Sequence, residues 1–318
     1  MHGVFLDLRT VDRDDLDLTS LRSVVAEWTY HDWTAPEQVI ERARGAAIVV
    51  SNKVRLDAAA LGSTDKLKLV CIAATGTNNI DLHACRDRGI AVCNVTGYAT
   101  PSVVEHVFAQ ILVLIRRLND YRLAIAAGRW QSSGDFCLLD FPIRELKGLT
   151  LGIIGYGGLG RAVAGMGKAF GMNVLIAERR GTSPRPGRIP LENLLEQSHV
   201  VSLHCPLTNE THGLIRSREL GLMRRDAILV NTARGGIVDE VALLEAVRSG
   251  QIAGAAIDVL SEEPPHRGNP LLQVSLPNLL VTPHIAWASI NARQRLVDEI
   301  AGNIQAWLEG TPRNLVCP

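Results

Sequence analysis

The chain has 318 residues, of which 47% are hydrophobic and 21% are charged. This length exceeds what one ordinary core needs, so it favours two domains. Lys and Arg number 33, as do Asp and Glu, and a chain without net charge gives no electrostatic reason to bind nucleic acid or an anionic membrane. The N-terminus lacks the basic and apolar regions of a signal peptide, and no apolar run is long enough to span a membrane. We therefore expect a soluble, cytoplasmic protein.

The first part of the chain alternates short apolar runs with helical segments. Such alternation is typical of βαβ units and a parallel sheet. Strands are predicted at residues 3–8, 23–28, 46–51, 68–73 and 89–93. Loops 51–54 and 73–79 follow strand ends, where open α/β sheets bind ligands. Each loop can be read as a plain polar turn. The alternative is that the backbone N–H groups around Gly76, in the second loop, hold a small anion.

A turn-rich join at residues 97–101 precedes the longest helical pattern of this half, Ser102 to Leu118. Pro101 suits the start of a helix, and we place the first crossing between domains here. Residues 119–148 are predicted to be irregular. Their apolar side chains indicate a loop that packs either on its own domain or on a second subunit.

From Gly148 onward the alternation becomes regular. Strands are predicted at 149–154, 174–177, 200–204, 228–232, 253–258 and 279–282, the pattern of a six-stranded, doubly wound sheet. The first of these strands runs into Gly155-Tyr-Gly157-Gly-Leu159-Gly160, which opens a helix. Gly155 allows the tight turn, Gly157 lets a pyrophosphate approach the backbone, and Gly160 lets the helix pack closely on the strand.

An acidic residue completes this fingerprint. Glu178 ends the next predicted strand, where a carboxylate would hold the ribose hydroxyls of adenosine. The glycine motif alone is weak support, but strand, turn, helix and acid together predict a dinucleotide-binding domain. Arg179 and Arg180 could accept a 2′-phosphate, or they could form a solvated loop, whereas Glu178 would repel a phosphate. We expect NAD as the cofactor, with NADP as the alternative.

Three further side chains come shortly after predicted strands of the second half. They are Arg234, Glu263 and His284. Each taken alone is an ordinary surface or loop residue. Because the carboxyl ends of parallel strands meet at one edge of a sheet, the three together indicate a catalytic site beside the dinucleotide.

The sequence around these residues resembles the D-2-hydroxyacid dehydrogenase family over nearly the whole chain. The similar segments are Arg234 to Asp239, Asp258 to Pro264, and Pro283-His284. Segments 75–81, 136–142 and 284–287 look most like glycerate dehydrogenases, also called hydroxypyruvate reductases. The resemblance implies an α/β protein with two doubly wound parallel sheets. A Rossmann NAD(P)-binding domain, residues 99–286, would be inserted into a flavodoxin-like substrate domain, residues 1–98 and 287–318.

The resemblance also implies a role for each catalytic residue. Arg234 would offer a planar fork of donors to the carboxylate and carbonyl of a 2-keto acid. His284 would donate a proton to the carbonyl oxygen as hydride arrives, and take it back in the oxidative direction. Glu263 would orient the imidazole and favour its protonated form.

Further residues are assigned to the ligands by the same resemblance. Asp258 would contact the nicotinamide carboxamide. The cofactor would be held by Gly155, Gly157, Leu159, Gly160, Glu178, Arg179, Cys205, Pro206, Thr211, Thr232, Ala233, Arg234, Asp258 and His284. The substrate would be bound by Asn52, Ala74, Thr75, Gly76, Arg234, His284 and Trp287, with Lys53, Thr77 and either Leu138 or Leu139 of a second subunit as further candidates.

Two other functions share this architecture. Formate dehydrogenases pair the histidine with glutamine, because formate oxidation needs no proton transfer, so Glu263 disfavours that activity. An NAD(H)-sensing corepressor can keep the arginine, glutamate and histidine, but we expect no long disordered extensions here. An enzyme that reduces a small 2-keto acid, hydroxypyruvate or glyoxylate, to the D-2-hydroxy acid fits best.

The remaining expectations concern metals and partners. His199, His204 and His212 are spaced five and eight residues apart, which gives no convincing ligand set, so no metal is expected. His106 is expected to be a packed or interface residue. The resemblance implies a homodimer through residues 102–146, and two domain crossings imply a hinge that closes on the substrate.

Overall fold

The computed structural model describes residues 1–179, 181–182 and 185–317. The chain divides into two compact units, Met1–Pro101 with Trp287–Pro318, and Ser102–Ala286. The sequence placed these boundaries at 98/99 and 286/287. No helix in the described part of the chain is long and apolar enough to cross a membrane.

The described residues contain two sheets. Their strands are β1 (His2–Phe5), β2 (Glu27–Tyr30), β3 (Ile48–Ser51), β4 (Leu69–Ile72), β5 (Ala91–Cys93), β6 (Thr150–Ile154), β7 (Asn173–Ile176), β8 (Val200–Leu203), β9 (Ile228–Asn231), β10 (Gly254–Ile257), β11 (Leu279–Val281) and β12 (Leu315–Cys317). The helices are α1 (Thr19–Ser23), α2 (Val39–Ala43), α3 (Ala58–Gly62), α4 (Leu82–Asp87), α5 (Thr100–Ile115), α6 (Leu118–Ala126), α7 (Gly158–Ala169), α8 (Leu191–Gln197), α9 (Ser217–Leu222), α10 (Glu240–Arg248) and α11 (Ile290–Leu308). Short 3-10 helices lie at Leu8–Thr10, Pro36–Gln38 and Pro270–Leu272.

The first unit is built on the sheet β12-β5-β4-β3-β1-β2. Strands β1 to β5 are parallel in the flavodoxin order, and β12 pairs antiparallel with β5. Strand β12 was not predicted, because a three-residue edge strand carries almost no periodicity. The strand predicted at 23–28 lies instead at Glu27–Tyr30, since α1 ends at Ser23 and residues 24–26 form a bend.

The second unit is built on the parallel sheet β11-β10-β9-β8-β6-β7. Strands β8, β9 and β10 are buried along their whole length, which explains their continuous apolar sequences. The strand order reverses between β6 and β8, and ligands of such sheets bind beyond the carboxyl ends at this switch point. The α/β class with two doubly wound sheets is confirmed.

The prediction that residues 119–148 are irregular is partly wrong. The first of these residues form α6, and only the part beyond Ala126 lacks regular structure before β6. Arg117 adopts a left-handed conformation between α5 and α6, so the helix predicted to reach Leu118 ends at Ile115 and a second helix begins at Leu118. The irregular part leaves apolar side chains exposed, with Phe136 at 91% and Leu139 at 80%.

Candidate active site

The glycine-rich turn after β6 has the geometry of a phosphate cradle. Gly155 has φ +93°, and a Cβ there would meet the backbone N of Cys205 at 2.5 Å. A Cβ at Gly160 would meet the carbonyl oxygen of Gly155 at 2.0 Å, so the start of α7 packs directly on the turn. Gly157, by contrast, faces open space, with no atom within 4 Å of an added Cβ. The turn therefore leaves room for a ligand where the dinucleotide pyrophosphate was predicted to sit.

A cavity of about 320 Å³ adjoins this turn. Six of the predicted cofactor residues line it, namely Gly155, Glu178, Arg179, Cys205, Pro206 and Thr211. Gly157, Leu159 and Gly160 belong to the neighbouring turn and α7, while Thr232 and Ala233 follow β9. The Thr232 hydroxyl is buried without a hydrogen-bond partner in the described chain, so a ligand or water is needed to satisfy it. These features fit a dinucleotide.

Glu178 is already paired in the structure. Its carboxylate accepts from Arg185 Nε at 2.9 Å, from a second guanidinium nitrogen of Arg185, and from the backbone N of Arg179 at 2.8 Å. The hydrogen bonds from Arg185 hold the pKa of Glu178 at about 2, so the carboxylate is ionised at neutral pH. Arg179 lies 3.8 Å from Glu210, and Arg180 falls outside the described residues. Sequence reasoning missed Arg185, which follows Glu178 by seven residues.

The side chain of Asn231 stabilises the turn beyond β9 that carries Arg234. The Asn231 carboxamide accepts from the N–H of Ala233 at 3.0 Å and donates to the carbonyl of Arg234 at 2.9 Å. This is an Asx turn, and it leaves the Arg234 guanidinium partly exposed, with one N–H donated to the carbonyl of Ala233 at 2.7 Å. Asn231 was not predicted to matter, although an Asn at a strand end is a known turn signal.

The turn of Arg234 packs against the loop that carries Glu263. A Cβ at Gly235 would lie 1.7 Å from the carbonyl oxygen of Leu260, so only glycine permits this approach. One oxygen of Glu263 accepts from the N–H of Leu260 at 2.8 Å. The other lies 2.6 Å from Nδ1 of His284. The structure thus brings the predicted catalytic residues into neighbouring loops at the carboxyl ends of β9, β10 and β11.

His284 belongs to residues 282–286, here called the histidine loop. Its backbone is left-handed, with φ +56°, which is uncommon for a residue other than glycine. The backbone N of His284 donates to the carbonyl of Asp258 at 2.8 Å. The Asp258 carboxylate accepts the N–H groups of Ile285 and Ala286, each at 2.9 Å, and the hydroxyl of Thr282 at 2.5 Å.

Asp258 was predicted to contact the nicotinamide carboxamide. Its side chain is fully buried, and both carboxylate oxygens are engaged by the histidine loop. These hydrogen bonds hold the histidine loop, and the contact with the nicotinamide stays a prediction, because each carboxylate oxygen can accept more than one hydrogen bond. The bonds to the loop could not be read from the sequence, because they depend on how β10 and β11 are paired.

The predicted substrate residues lie in the first unit. Asn52 is 3% exposed, and its carboxamide donates to the Thr10 hydroxyl. The Thr75 hydroxyl donates to the carbonyl of Val95 at 2.7 Å, while Gly76 is partly accessible. Trp287 packs edge-on against Tyr98. The role of Asn52, Ala74, Thr75, Gly76 and Trp287 stays a prediction.

Asp7 shapes the loop of Asn52 and was missed. Its carboxylate accepts the backbone N–H groups of Asn52, Lys53 and Val54 at 2.9, 2.6 and 3.3 Å. Burial raises the pKa of Asp7, although these hydrogen bonds oppose the shift. An aspartate directly after β1 was the available signal, since strand ends in such sheets form ligand loops.

Comparison with known proteins identifies the class. A family profile described as "D-isomer specific 2-hydroxyacid dehydrogenase, NAD binding domain" matches residues 108–286. The chain belongs to the D-isomer specific 2-hydroxyacid dehydrogenase family, and its second unit carries the NAD-binding domain. It is therefore an oxidoreductase that acts on the CH–OH group of 2-hydroxy acids with NAD(P).

Individual relatives cover the whole chain. A glycerate dehydrogenase of Methylorubrum extorquens is 44% identical over 95% of this chain and 97% of its own. A hydroxypyruvate reductase of Blautia hydrogenotrophica is 34% identical over 99% of both chains. A crystal structure of a Thermus thermophilus protein is 35% identical, with a TM-score of 0.85, over 99% of this chain and 100% of that one. The resemblance stated from sequence is confirmed.

Proposed function

We propose that the protein reduces hydroxypyruvate to D-glycerate, or glyoxylate to glycolate, with NADH as the preferred cofactor. The observation that carries this proposal is the 2.6 Å contact between His284 Nδ1 and Glu263 Oε2. A carboxylate in this position lets an imidazole hold and release a proton. Reduction of a carbonyl needs that proton, whereas oxidation of formate does not.

Arg234 binds the substrate in this proposal. Its guanidinium can donate in parallel to a carboxylate and the adjacent carbonyl oxygen of a 2-keto acid. The turn closed by Asn231 limits the directions that Arg234 can take, which lowers the entropic cost of binding. The same cation would polarise the carbonyl as negative charge develops on its oxygen.

His284 moves the proton. Because Nδ1 faces Glu263, Nε2 is the nitrogen that can donate to the carbonyl oxygen of the substrate. The bound dinucleotide would supply the hydride. In the oxidative direction His284 takes the proton back through Nε2, and Glu263 stabilises the imidazolium that results.

The relatives support the choice of substrate. The two relatives described above are a glycerate dehydrogenase and a hydroxypyruvate reductase, which name the two directions of one reaction. The paired, ionised Glu178 supports NADH, because an anionic carboxylate beside the adenosine ribose disfavours a 2′-phosphate.

One assay tests the proposal. Loss of NADH absorbance is followed with hydroxypyruvate, glyoxylate, pyruvate and a branched 2-keto acid, each at several concentrations. We expect the highest kcat/KM with hydroxypyruvate or glyoxylate, and D-glycerate from hydroxypyruvate by chiral chromatography. Turnover confined to the branched acid would contradict the substrate, and binding of NADH without turnover of any acid would favour a sensing protein.

A second copy of the chain is the proposed macromolecular partner. The segment after α6 is tied down by its own hydrogen bonds, from the Tyr121 hydroxyl to the carbonyl of Phe141 and from Trp130 to the carbonyl of Phe136. It nevertheless leaves Phe136 and Leu139 largely exposed, as an interface would require. Light scattering should give the mass of a dimer, and Phe136→Ser with Leu139→Ser should yield a monomer.

A further inference from the structure

One face of α5 carries three polar side chains that the proposed reaction has not used. Ser102, His106 and Gln110 are spaced four residues apart, so they form one line along the helix. They belong to the same unit as His284. His106 was expected to be a packed or interface residue, and the structure gives it a more specific set of contacts.

This line of side chains holds both ends of the histidine loop. The Ser102 hydroxyl donates to the carbonyl of Ala286 at 2.7 Å. At the other end, Nε2 of His106 and Nε2 of Gln110 each lie 3.2 Å from the hydroxyl oxygen of Thr282. Helix α5 therefore contacts the histidine loop on both sides of His284, the proposed proton donor.

The hydrogen-bonding capacity of the Thr282 hydroxyl determines whether His106 donates or accepts. A hydroxyl has one proton and two lone pairs. Thr282 gives its proton to Asp258, at 2.5 Å, and one lone pair accepts from the Gln110 amide. The remaining lone pair can only accept, so Nε2 of His106 must carry the proton that is donated to it.

Asp258 joins these contacts to the backbone of the loop. Its buried carboxylate accepts from Thr282 and from two backbone N–H groups of the histidine loop, and Nε2 of His106 lies 3.6 Å from it. A left-handed residue such as His284 persists only where its surroundings over-determine the conformation. The hydroxyl orientation set by His106 is one of those determinants.

We propose that His106 is a positioning residue for the proton donor: it orients the Thr282 hydroxyl toward Asp258 and so fixes the histidine loop. His106 acts through Thr282 in this proposal and contacts neither substrate nor cofactor. The inference deepens the proposed function, because it rests on His284 as the acid and base of the reaction.

A pair of substitutions at His106 provides the first test. Gln at this position can replace the Nε2–H donor, whereas Leu keeps the bulk and removes the donor. Because misplacing a catalytic group by about 1 Å can cost a hundredfold in rate, His106→Leu should lower kcat roughly tenfold or more. The KM for NADH should change less than about twofold, and His106→Gln should recover most of kcat. Equal losses in the two variants would overturn the proposal.

A double-mutant cycle tests the route through Thr282. Thr282→Val should lower kcat as His106→Leu does, and the combined variant should be no slower than the slower single variant. Additive losses would mean that His106 acts independently of Thr282 and would overturn the proposal. If His106→Leu does not fold, His106→Ala, which also lacks the donor, takes its place against His106→Gln, and equal losses in those two variants would overturn the proposal.

Hydrogen exchange separates this inference from the proposed function. The amides of Ile285 and Ala286 are bonded to Asp258, so His106→Leu should accelerate exchange in a peptide covering the histidine loop, whereas His106→Gln should not. This readout requires no turnover. A wild-type protein that reduces no 2-keto acid would defeat the proposed function alone, while unchanged exchange in His106→Leu would defeat the positioning role alone.

Discussion

Nδ1 of His284 lies 2.6 Å from Oε2 of Glu263, and the other oxygen of Glu263 is fixed by the backbone N–H of Leu260. The carboxylate therefore cannot rotate freely, and it presents a defined acceptor to one nitrogen of the imidazole. In the proposed reaction Nε2 is the nitrogen that acts on the substrate. A histidine held in this way can exchange its proton with the substrate without reorienting.

Replacement of Arg234 should abolish turnover and spare cofactor binding. Arg234→Ala removes the cation that binds the substrate carboxylate, so kcat/KM should fall about a thousandfold, equivalent to about 4 kcal/mol. Arg234→Lys should restore little, because an ammonium lacks the planar fork. Fluorescence titration should give an unchanged Kd for NADH. An Arg234→Ala variant with near-wild-type kcat/KM on hydroxypyruvate would contradict the assignment.

Replacement of Glu263 should slow the reaction. Glu263→Gln keeps an oxygen acceptor beside His284 but removes the negative charge, so kcat should fall roughly a hundredfold. Steady-state assays with hydroxypyruvate measure this loss. Glu262→Gln is the matched control, since Glu262 pairs with Arg267. A Glu263→Gln variant with the kcat of the wild type would refute the pairing.

The choice between NADH and NADPH should depend on Glu178. Glu178→Gln removes the charge that opposes a 2′-phosphate and releases Arg185 to bind one. The ratio of kcat/KM for NADPH to that for NADH should rise about tenfold or more, as expected when a like-charge contact is removed. Glu196→Gln, at an exposed position outside the residues that line this cavity, should leave the ratio nearly unchanged. An unaltered ratio in Glu178→Gln would show that another residue selects the cofactor.

His204 should make stability depend on pH. Burial lowers the pKa of His204 to about 4 from an ordinary 6.5, so the folded state favours the neutral imidazole. The contribution of His204 to the free energy of unfolding is fully present above pH 6.5. It is lost as the pH falls toward 4, because the unfolded chain takes up the proton first. At pH 5 the loss should be about 2 kcal/mol in the free energy of unfolding.

His204→Gln tests this contribution, since it should lose less stability than the wild type between pH 7 and pH 5. The control is His83→Gln, because the side chain of His83 is 84% exposed. Denaturant unfolding at the two pH values measures both. A His204→Gln variant as sensitive to acid as the wild type would disprove the buried-imidazole account.

The sequence predicted best what local patterns determine. Continuous apolar runs located most strands of both sheets, although β2 was misplaced and β12 was missed. Strand ends pointed to Arg234, Glu263 and His284. The features that the sequence did not predict depend on contacts between segments that are far apart in the chain. The buried carboxylate of Asp258 is defined by residues more than twenty positions away, and the pairing of Glu178 with Arg185 depends on a loop without periodicity. Helix α6 was missed because the predicted helix ended at Leu118, where α6 begins after the left-handed residue Arg117.

The hydrogen bond between Ser102 and Ala286 joins the first and last residues of the second unit. A segment whose two ends meet can be excised or transplanted with little disturbance to its host. Residues 102–286 can therefore be transplanted as one segment. In a chimera with the first unit of a related protein, this segment would carry its glycine turn, Arg234 and His284 together, and the first unit could be exchanged without changing them.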